Sequence, residues 1–346
     1  MVHVNVSFVG FTGPIKDLAH MVRKLERMGV DSVSFPDDLY LRDPFPALAN
    51  LALNSERIEL SFITNPYSRH PVLIARAVAT LLEMAPDRIS LWMSAGGSFT
   101  LKPLNIPMWD RPVTRVREAL QICRTLLSGK NLNFNGQIFK VHDVKLHFPF
   151  PHNPPKIFVV GRGPQILRLT GELGDGALIN PISLAYEKMV INEICEEARR
   201  HNRDPEKLIL GTSVTFTQLP PEEFLKRAVR RIVNVIHDTP LSLIQTYHKN
   251  VTPEVMETLK KIHDAPSIDA AVPLVTEEIA NLYPDTVNSE GKLIELLRER
   301  TRRGYKSVGL VAAPGEEEAF MKSLSEGLID ELHAIRSLGL GEREAP

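Results

Sequence analysis

Ile58-Glu59-Leu60-Ser61-Phe62-Ile63 runs into Thr64-Asn65-Pro66-Tyr67-Ser68-Arg69-His70-Pro71, which opens an amphipathic segment reaching Met84. The first run is short and apolar, as a buried strand is. Pro66 and Pro71 stiffen the turn and disfavour helix just before each. Pro71 also suits the first turn of a helix, where a missing N–H costs nothing. Strand, turn and helix in this order are the unit of α/β barrels, whose chemistry collects in the loops after the strands. Arg69 and His70 in such a loop fit a binding loop; an ordinary connector carrying surface charges fits them equally.

The same unit recurs on both sides. Strands are expected at residues 3–9, 32–35, 58–63, 88–93, 156–160, 176–179, 208–216 and 306–311. Helices are expected at 15–28, 45–53, 72–84, 113–127, 165–173, 186–201 and 316–338. Ile15, Leu18, Ala19, Val22, Leu25 and Met28 give the first helix one apolar face. Asn135-Gly136 between short apolar runs marks a β-hairpin within 131–148. Residues 220–303 carry mostly helical patterns and exceed what one crossover needs, so a helical insertion of about 220–303 is expected before strand eight. Eight repeats favour a (β/α)8 TIM barrel as a single domain over 1–346. No Gly-x-Gly-x-x-Gly follows the first strand, which weighs against a Rossmann sheet.

The 346 residues carry a formal charge of -1, with 43% hydrophobic and 24% charged residues. Nothing in that balance recommends nucleic acid or a membrane surface as a partner. No basic, apolar leader opens the chain, so a cytoplasmic location is expected. Cys123 and Cys195 fall in helical patterns, against a disulfide framework. His142, His147 and His152 have no zinc-ligand spacing, and no metal is expected.

Three further loops could carry chemistry. Gly161-Arg162-Gly163-Pro164 follows a strand and opens a helix. Glycines admit a ligand to the backbone, helix N–H groups favour an anion, and a guanidinium suits phosphate oxygens. Ser94-Ala95-Gly96-Gly97 leaves room for something flat. Pro36-Asp37-Asp38-Leu39 offers adjacent carboxylates, of which at most one faces the barrel mouth. Lys226, Arg227, Arg230 and Arg231 form a basic helix face, read most simply as solvated. Trp92 either packs the interior or walls a pocket.

Together these loops resemble the luciferase-like monooxygenase superfamily, in particular its branch using the deazaflavin coenzyme F420. The resemblance rests on Thr64 to Pro71 followed by Ala75 to Leu82, and on Arg115-Val116-Arg117-Glu118-Ala119-Leu120 with Leu126-Leu127-Ser128-Gly129 and the Asn135-Gly136 hairpin. It rests also on Pro155 to Pro164 running into Leu167-Arg168-Leu169-Thr170-Gly171-Glu172 and Gly174-Asp175-Gly176-Ala177. It is strongest over residues 1–185 and faintest over 213–305.

The resemblance implies a barrel holding coenzyme F420, or FMN as the alternative, at its C-terminal mouth. It implies ring contacts from Asp38, Phe62, Ile63, Thr64, Ser94, Ala95 and Gly96, and a phosphate tail at Gly161, Arg162, Gly163 and Pro164. A non-proline cis peptide at Phe62–Ile63 is part of the same expectation. Asp38 and His70 are the candidate catalytic residues. Leu39 and Gly97 stand where alcohol- and sugar-phosphate-oxidising members carry a histidine and an acid, and Ser7 where the methylene-tetrahydromethanopterin reductases carry a glutamate. The Thr-Asn-Pro loop is nonetheless closest to those reductases. The implied function is hydride transfer between the deazaflavin and a small organic substrate, in an enzyme pairing as a homodimer. An FMN-dependent monooxygenase and a catalytically silent cofactor-binding paralogue are the alternatives.

Overall fold

The computed structural model describes residues 2–8, 11, 13–107, 110–151, 153–180, 184–283, 285–312 and 315–338. The first four repeats run β1 (His3–Ser7), α1 (Ile15–Arg27), β2 (Ser32–Pro36), α2 (Pro44–Asn54), β3 (Glu59–Thr64), α3 (Pro71–Met84) and β4 (Ile89–Ser94). A short α4 (Ser98–Leu101) and α5 (Pro112–Leu127) then lead to the hairpin β5 (Leu132–Asn135) and β6 (Lys140–Val144). The barrel resumes with β7 (Ile157–Gly161), α6 (Pro164–Glu172), β8 (Gly176–Ile179), α7 (Leu184–Arg200) and β9 (Ile209–Phe216). An excursion follows through α8 (Pro221–His237), α9 (Leu241–Tyr247), α10 (Pro253–Asp264), α11 (Ile268–Ala271), α12 (Glu277–Asn281) and the two-residue β10 (Thr286–Val287). Helix α13 (Glu290–Arg302), β11 (Ser307–Ala312), α14 (Glu317–Ser323) and α15 (Ile329–Leu338) complete the chain.

Parallel pairing runs β11-β1-β2-β3-β4-β7-β8, and β9 pairs with both β8 and β11, which closes the ring. This is the expected TIM barrel. Alternation along each strand sorts the side chains. Val4, Val33, Leu60, Phe62, Leu91 and Val159 point to the helices and are buried in one large core with them. The intervening positions face the axis. Trp92, Phe158 and Val160 cluster there with Ile63, Leu178 and Ile209, and the Trp92 and Phe158 rings lie 5.2 Å apart. Trp92 therefore packs the barrel interior, with its Nε1 donating to Ser90 Oγ at 3.0 Å.

Several motif residues hold the helices together. Glu118 is buried, and its carboxylate accepts from the backbone N–H of Gln137, Ile138 and Phe139 at 2.7, 3.1 and 2.9 Å. It thereby clamps the Asn135-Gly136 turn onto α5. A Cβ at Gly136 would lie 2.3 Å from Glu118 Oε2, so the turn needs glycine for closeness. Gly171 does the same between helices: a Cβ there would meet backbone atoms of Ile194 and Ala198 at 2.6 Å. Arg117 Nε donates to both Glu172 oxygens at 2.9 and 3.0 Å, tying α5 to α6.

The segment expected as one insertion over 220–303 divides in two. Helices α8 to α12 form the excursion and have their own small core, including Val233, Ile236, Leu259 and Ile279. Helix α13 instead returns to the barrel's helical layer, burying Leu293 and Leu297 in the main core. Both parts show the same apolar spacing, which is why periodicity merged them. The last helix, expected unbroken over 316–338, is interrupted at Leu324–Leu328, where Gly327 has φ 131°.

Candidate functional site

A cavity of about 1780 Å³ opens at the C-terminal ends of the strands, between the barrel and the helical excursion. Its barrel wall includes Asp38, Ile63, Ser94, Ala95, Gly96, Gly161, Arg162 and Gly163. Those eight of the residues singled out in the sequence are brought to one space. The apolar cluster around Trp92 floors it without filling it.

The two carboxylates after β2 part company. Asp37 turns to Arg69, whose Nε lies 2.6 Å from Asp37 Oδ2, and also accepts from Thr64 Oγ1 at 2.9 Å. Arg69 further pairs with Asp43 at 2.9 Å and lies over the Phe45 ring. Arg69 is therefore a loop anchor. Asp38 instead lines the cavity and accepts from Thr100 Oγ1 at 3.2 Å. Burial pushes its carboxyl up to about 6 and the neighbouring Asp37 charge adds to the rise, against the Thr100 hydrogen bond. A carboxyl so placed can hold or release a proton near neutral pH.

Four expectations at the β3 loop need correction or relocation. The Phe62–Ile63 peptide is trans, as is every described peptide bond. Strand β3 stays in regular register through this bond, with Ile63 opposite both Pro36 and Trp92, and Ile63 O accepts from Asp37 N at 2.8 Å. A cis bond would cost about 3–4 kcal/mol, and the regular ladder proceeds without one. Ile63 still faces the cavity. Phe62 does not: it is fully buried on the helix side, 4.2 Å from the Phe45 ring. Thr64 is buried and serves Asp37. His70 caps α3, its Nδ1 accepting from Val72 N at 3.3 Å, and packs edge-on against Phe139. The structure places it away from the cavity lining, and burial lowers its pKa. Pro164 begins α6 beside the lining glycines. His152 lies outside the described residues.

Opposite this wall stands α8. Its apolar side, with Ile232, Val233 and Ile236, packs within the excursion. Its other side turns Lys226, Arg227, Arg230 and Arg231 to the cavity, which corrects the expectation of a plainly solvated face. Arg227 pairs with Glu316 at 2.5 Å and Arg230 with Asp269 at 2.6 Å. Arg162 approaches Thr239 Oγ1 at 3.5 Å, and its carbonyl accepts from Tyr247 OH at 2.8 Å. Burial lowers the pKa of both Arg162 and Arg231.

Beneath Asp285, a lining residue, sits a buried charge cluster the sequence did not reveal. Arg300 is fully buried, with Nη2 on Asp285 Oδ1 at 2.6 Å and Nη1 3.1 Å from Glu187 Oε1. It also donates to Thr212 Oγ1 on β9. Burial raises the Glu187 carboxyl to about 7 despite Arg300. Arg300 lies in the run Arg298-Glu299-Arg300-Thr301-Arg302-Arg303, which reads as an exposed helix end. Thr100 was missed for another reason: a four-residue helix leaves no periodic signal.

An eight-stranded parallel barrel with a polar-rimmed cavity at its C-terminal mouth defines the class: a TIM-barrel protein with a ligand-sized site. Within that class the chain belongs to the luciferase-like monooxygenase family, which it matches over residues 3–305. It is 38% identical over 299 residues to a 5,10-methylenetetrahydromethanopterin reductase of Archaeoglobus fulgidus, covering 84% of this chain and 88% of that protein. A reductase of the same name from Methanolobus tindarius is 29% identical over 205 residues; that match spans 59% of this chain and 62%, under two thirds, of the relative. The coenzyme F420 dependent tetrahydromethanopterin reductase of Methanopyrus kandleri shares the fold, with a TM-score of 0.76 at 19% identity over 94% of this chain and 98% of that one. Among the described residues no helix is long and apolar enough to cross a membrane.

Proposed function

We propose that this protein is a coenzyme F420-dependent oxidoreductase, transferring a hydride between the deazaflavin and a small organic substrate. The observation carrying this is one cavity that joins a flat, small-residue wall at Ser94–Gly97, a carboxyl of near-neutral pKa at Asp38 and a glycine-flanked guanidinium at Arg162. The relatives' reductase names and the loop motifs point the same way.

The residues fit such a group. Gly163 has only Leu243 Cδ1 near a would-be Cβ, at 3.6 Å, so backbone is open at that loop, and Gly96 adopts φ +75°, which favours glycine. Arg162 has no ion-pair partner among the described residues and can accept a phosphate-type anion. When bound, the deazaflavin supplies a hydride donor or acceptor. Ile63 and Ser94 to Gly97 would then set the ring's orientation, and the excursion would exclude water. Asp38 is the proton-handling group, its Oδ1 held by Thr100. Gly97 and Leu39 provide no second titratable group, which favours reduction of an activated substrate over alcohol oxidation.

The same reading includes a homodimer working in the cytoplasm. Leu53 on α2 and Leu73 on α3, 71% and 48% exposed, support a partner on that side; light scattering would read a mass near twice 38.8 kDa.

The activity test is anaerobic mixing of purified protein, reduced F420 and methylene-tetrahydromethanopterin. Reappearance of the oxidised F420 absorbance, dependent on protein and pterin together, is the expected result. Turnover of reduced FMN with oxygen and none with F420 would overturn the proposal.

A further inference from the structure

The cavity is lined by more positive than negative side chains, in a chain whose formal charge is -1. Much of that positive charge is already matched. Arg227 and Arg230 have carboxylate partners on other elements. Asp285 is ion-paired with Arg300, while its charge also reaches Arg162 and Arg231 and that of Asp238 reaches Arg162. Two guanidiniums remain. Arg162 comes from the β7–α6 loop of the barrel and Arg231 from α8 of the excursion. Neither forms an ion pair among the described residues, and Arg231 makes no hydrogen bond there.

The two belong to one region. Asp285 is among the charges acting on both, and the charge of Arg162 itself bears on Arg231. Beside Asp285 stands Thr215, whose N donates to Asp285 O at 2.8 Å. Thr215 is 6% exposed, lines the cavity, and its Oγ1 has no hydrogen-bond partner. A buried hydroxyl without a partner and two buried guanidiniums outside any ion pair are each costly alone. All three line the same cavity, where one group with several anionic oxygens would satisfy them.

We propose that Arg162, Arg231 and the Thr215 hydroxyl form a single subsite for a phosphate-type anion, shared between barrel and excursion. The excursion is then part of the binding site, and an anion seated there fastens α8 to the barrel mouth. The anion is carried by the coenzyme's tail or by the substrate. This deepens the proposed function, since it concerns the same cavity, but phosphate binding itself requires no redox chemistry.

The test is calorimetric titration of the purified protein with inorganic phosphate, alongside the phosphate-induced rise in melting temperature. Arg162→Ala and Arg231→Ala are each expected to weaken phosphate at least ten-fold and to abolish most of the thermal shift. Arg231→Lys keeps the charge without the fork, guards against misfolding of the alanine variant, and is expected to fall between. Exposed Arg76→Ala on α3 is the control and should leave both readings unchanged. Phosphate affinity unaltered in both Arg231 variants would overturn the shared subsite, as would equal loss in Arg76→Ala.

Intact F420 and the same deazaflavin lacking its phosphate tail identify the source. A ten-fold loss in Arg231→Ala for the intact coenzyme alone assigns the anion to the tail. Loss for phosphate with neither deazaflavin affected assigns it to the substrate. Phosphate binding that depends on both arginines, with no F420 binding at all, would sustain this subsite and refute the proposed function.

Discussion

Arg69 Nε lies 2.6 Å from Asp37 Oδ2, and this contact gives two adjacent carboxylates different roles. Asp37 is tied to the β3 loop, while Asp38 is left facing the cavity. The Asp37 charge already raises Asp38. Removing Arg69 leaves that charge less compensated, so Arg69→Ala is expected to raise the Asp38 pKa further, by roughly 0.5–1 pH unit. Carbon-detected NMR titration of the Asp38 carboxyl checks it. A fall in the pKa would mean that Arg69 does not act through Asp37.

Asp38 also makes stability depend on pH. Burial holds its carboxyl at about 6 in the folded state, against the ordinary 3.8 of an exposed aspartate in the unfolded chain. The folded state therefore binds the proton more tightly, and stability falls as pH rises from about 4 to 6. Above 6 the full cost of the buried charge remains. Asp38→Asn cannot ionise, so it is expected to be more stable than the parent near pH 8. The ceiling is about 3 kcal/mol, with less realised because the cavity admits water. The difference should vanish below about pH 4; urea denaturation at three pH values measures it.

The Arg300 cluster sets the opposite expectation. Arg300→Met leaves buried Asp285 without its ion-pair partner and buried Glu187 with Arg303 alone, at 3.8 Å. Stripping one partner from a buried ion network costs about 3–5 kcal/mol. Urea midpoints near neutral pH should fall accordingly. An unchanged midpoint would show that the cluster carries no net stabilisation.

Arg162→Ala is expected to weaken F420 by about 1.5–3 kcal/mol, the usual value of a charged hydrogen bond. Fluorescence titration reads this directly. An unchanged dissociation constant would remove Arg162 from the site.

What the sequence revealed follows from which signals are local. The alternation of apolar runs, the prolines opening α3 and α6, and the Asn135-Gly136 turn are properties of neighbouring residues, and all appear where expected. Glycine loops after strands likewise placed Gly96, Gly161 and Gly163 at the cavity. Contacts between distant segments leave no such trace. The polar face of α8 has the same spacing whether it meets solvent or a cavity, so spacing alone does not place Arg231. Arg300 looks like a helix-end charge until Asp285 and Glu187, separated from it by 15 and 113 positions, are seen to enclose it. The resemblance places Phe62 at the ring, whereas strand alternation sends it to the helices once Ile63 faces inward. His70 sits in a proline-stiffened loop after a strand, the usual place for chemistry, yet its local task is to cap α3.

The most direct test of a deazaflavin site at the barrel mouth is anaerobic fluorescence titration of the cofactor-free protein with F420 and, separately, with FMN. Saturable micromolar binding of F420, weakened in Arg162→Ala, is the expected result. Micromolar FMN binding with no measurable F420 binding would contradict it.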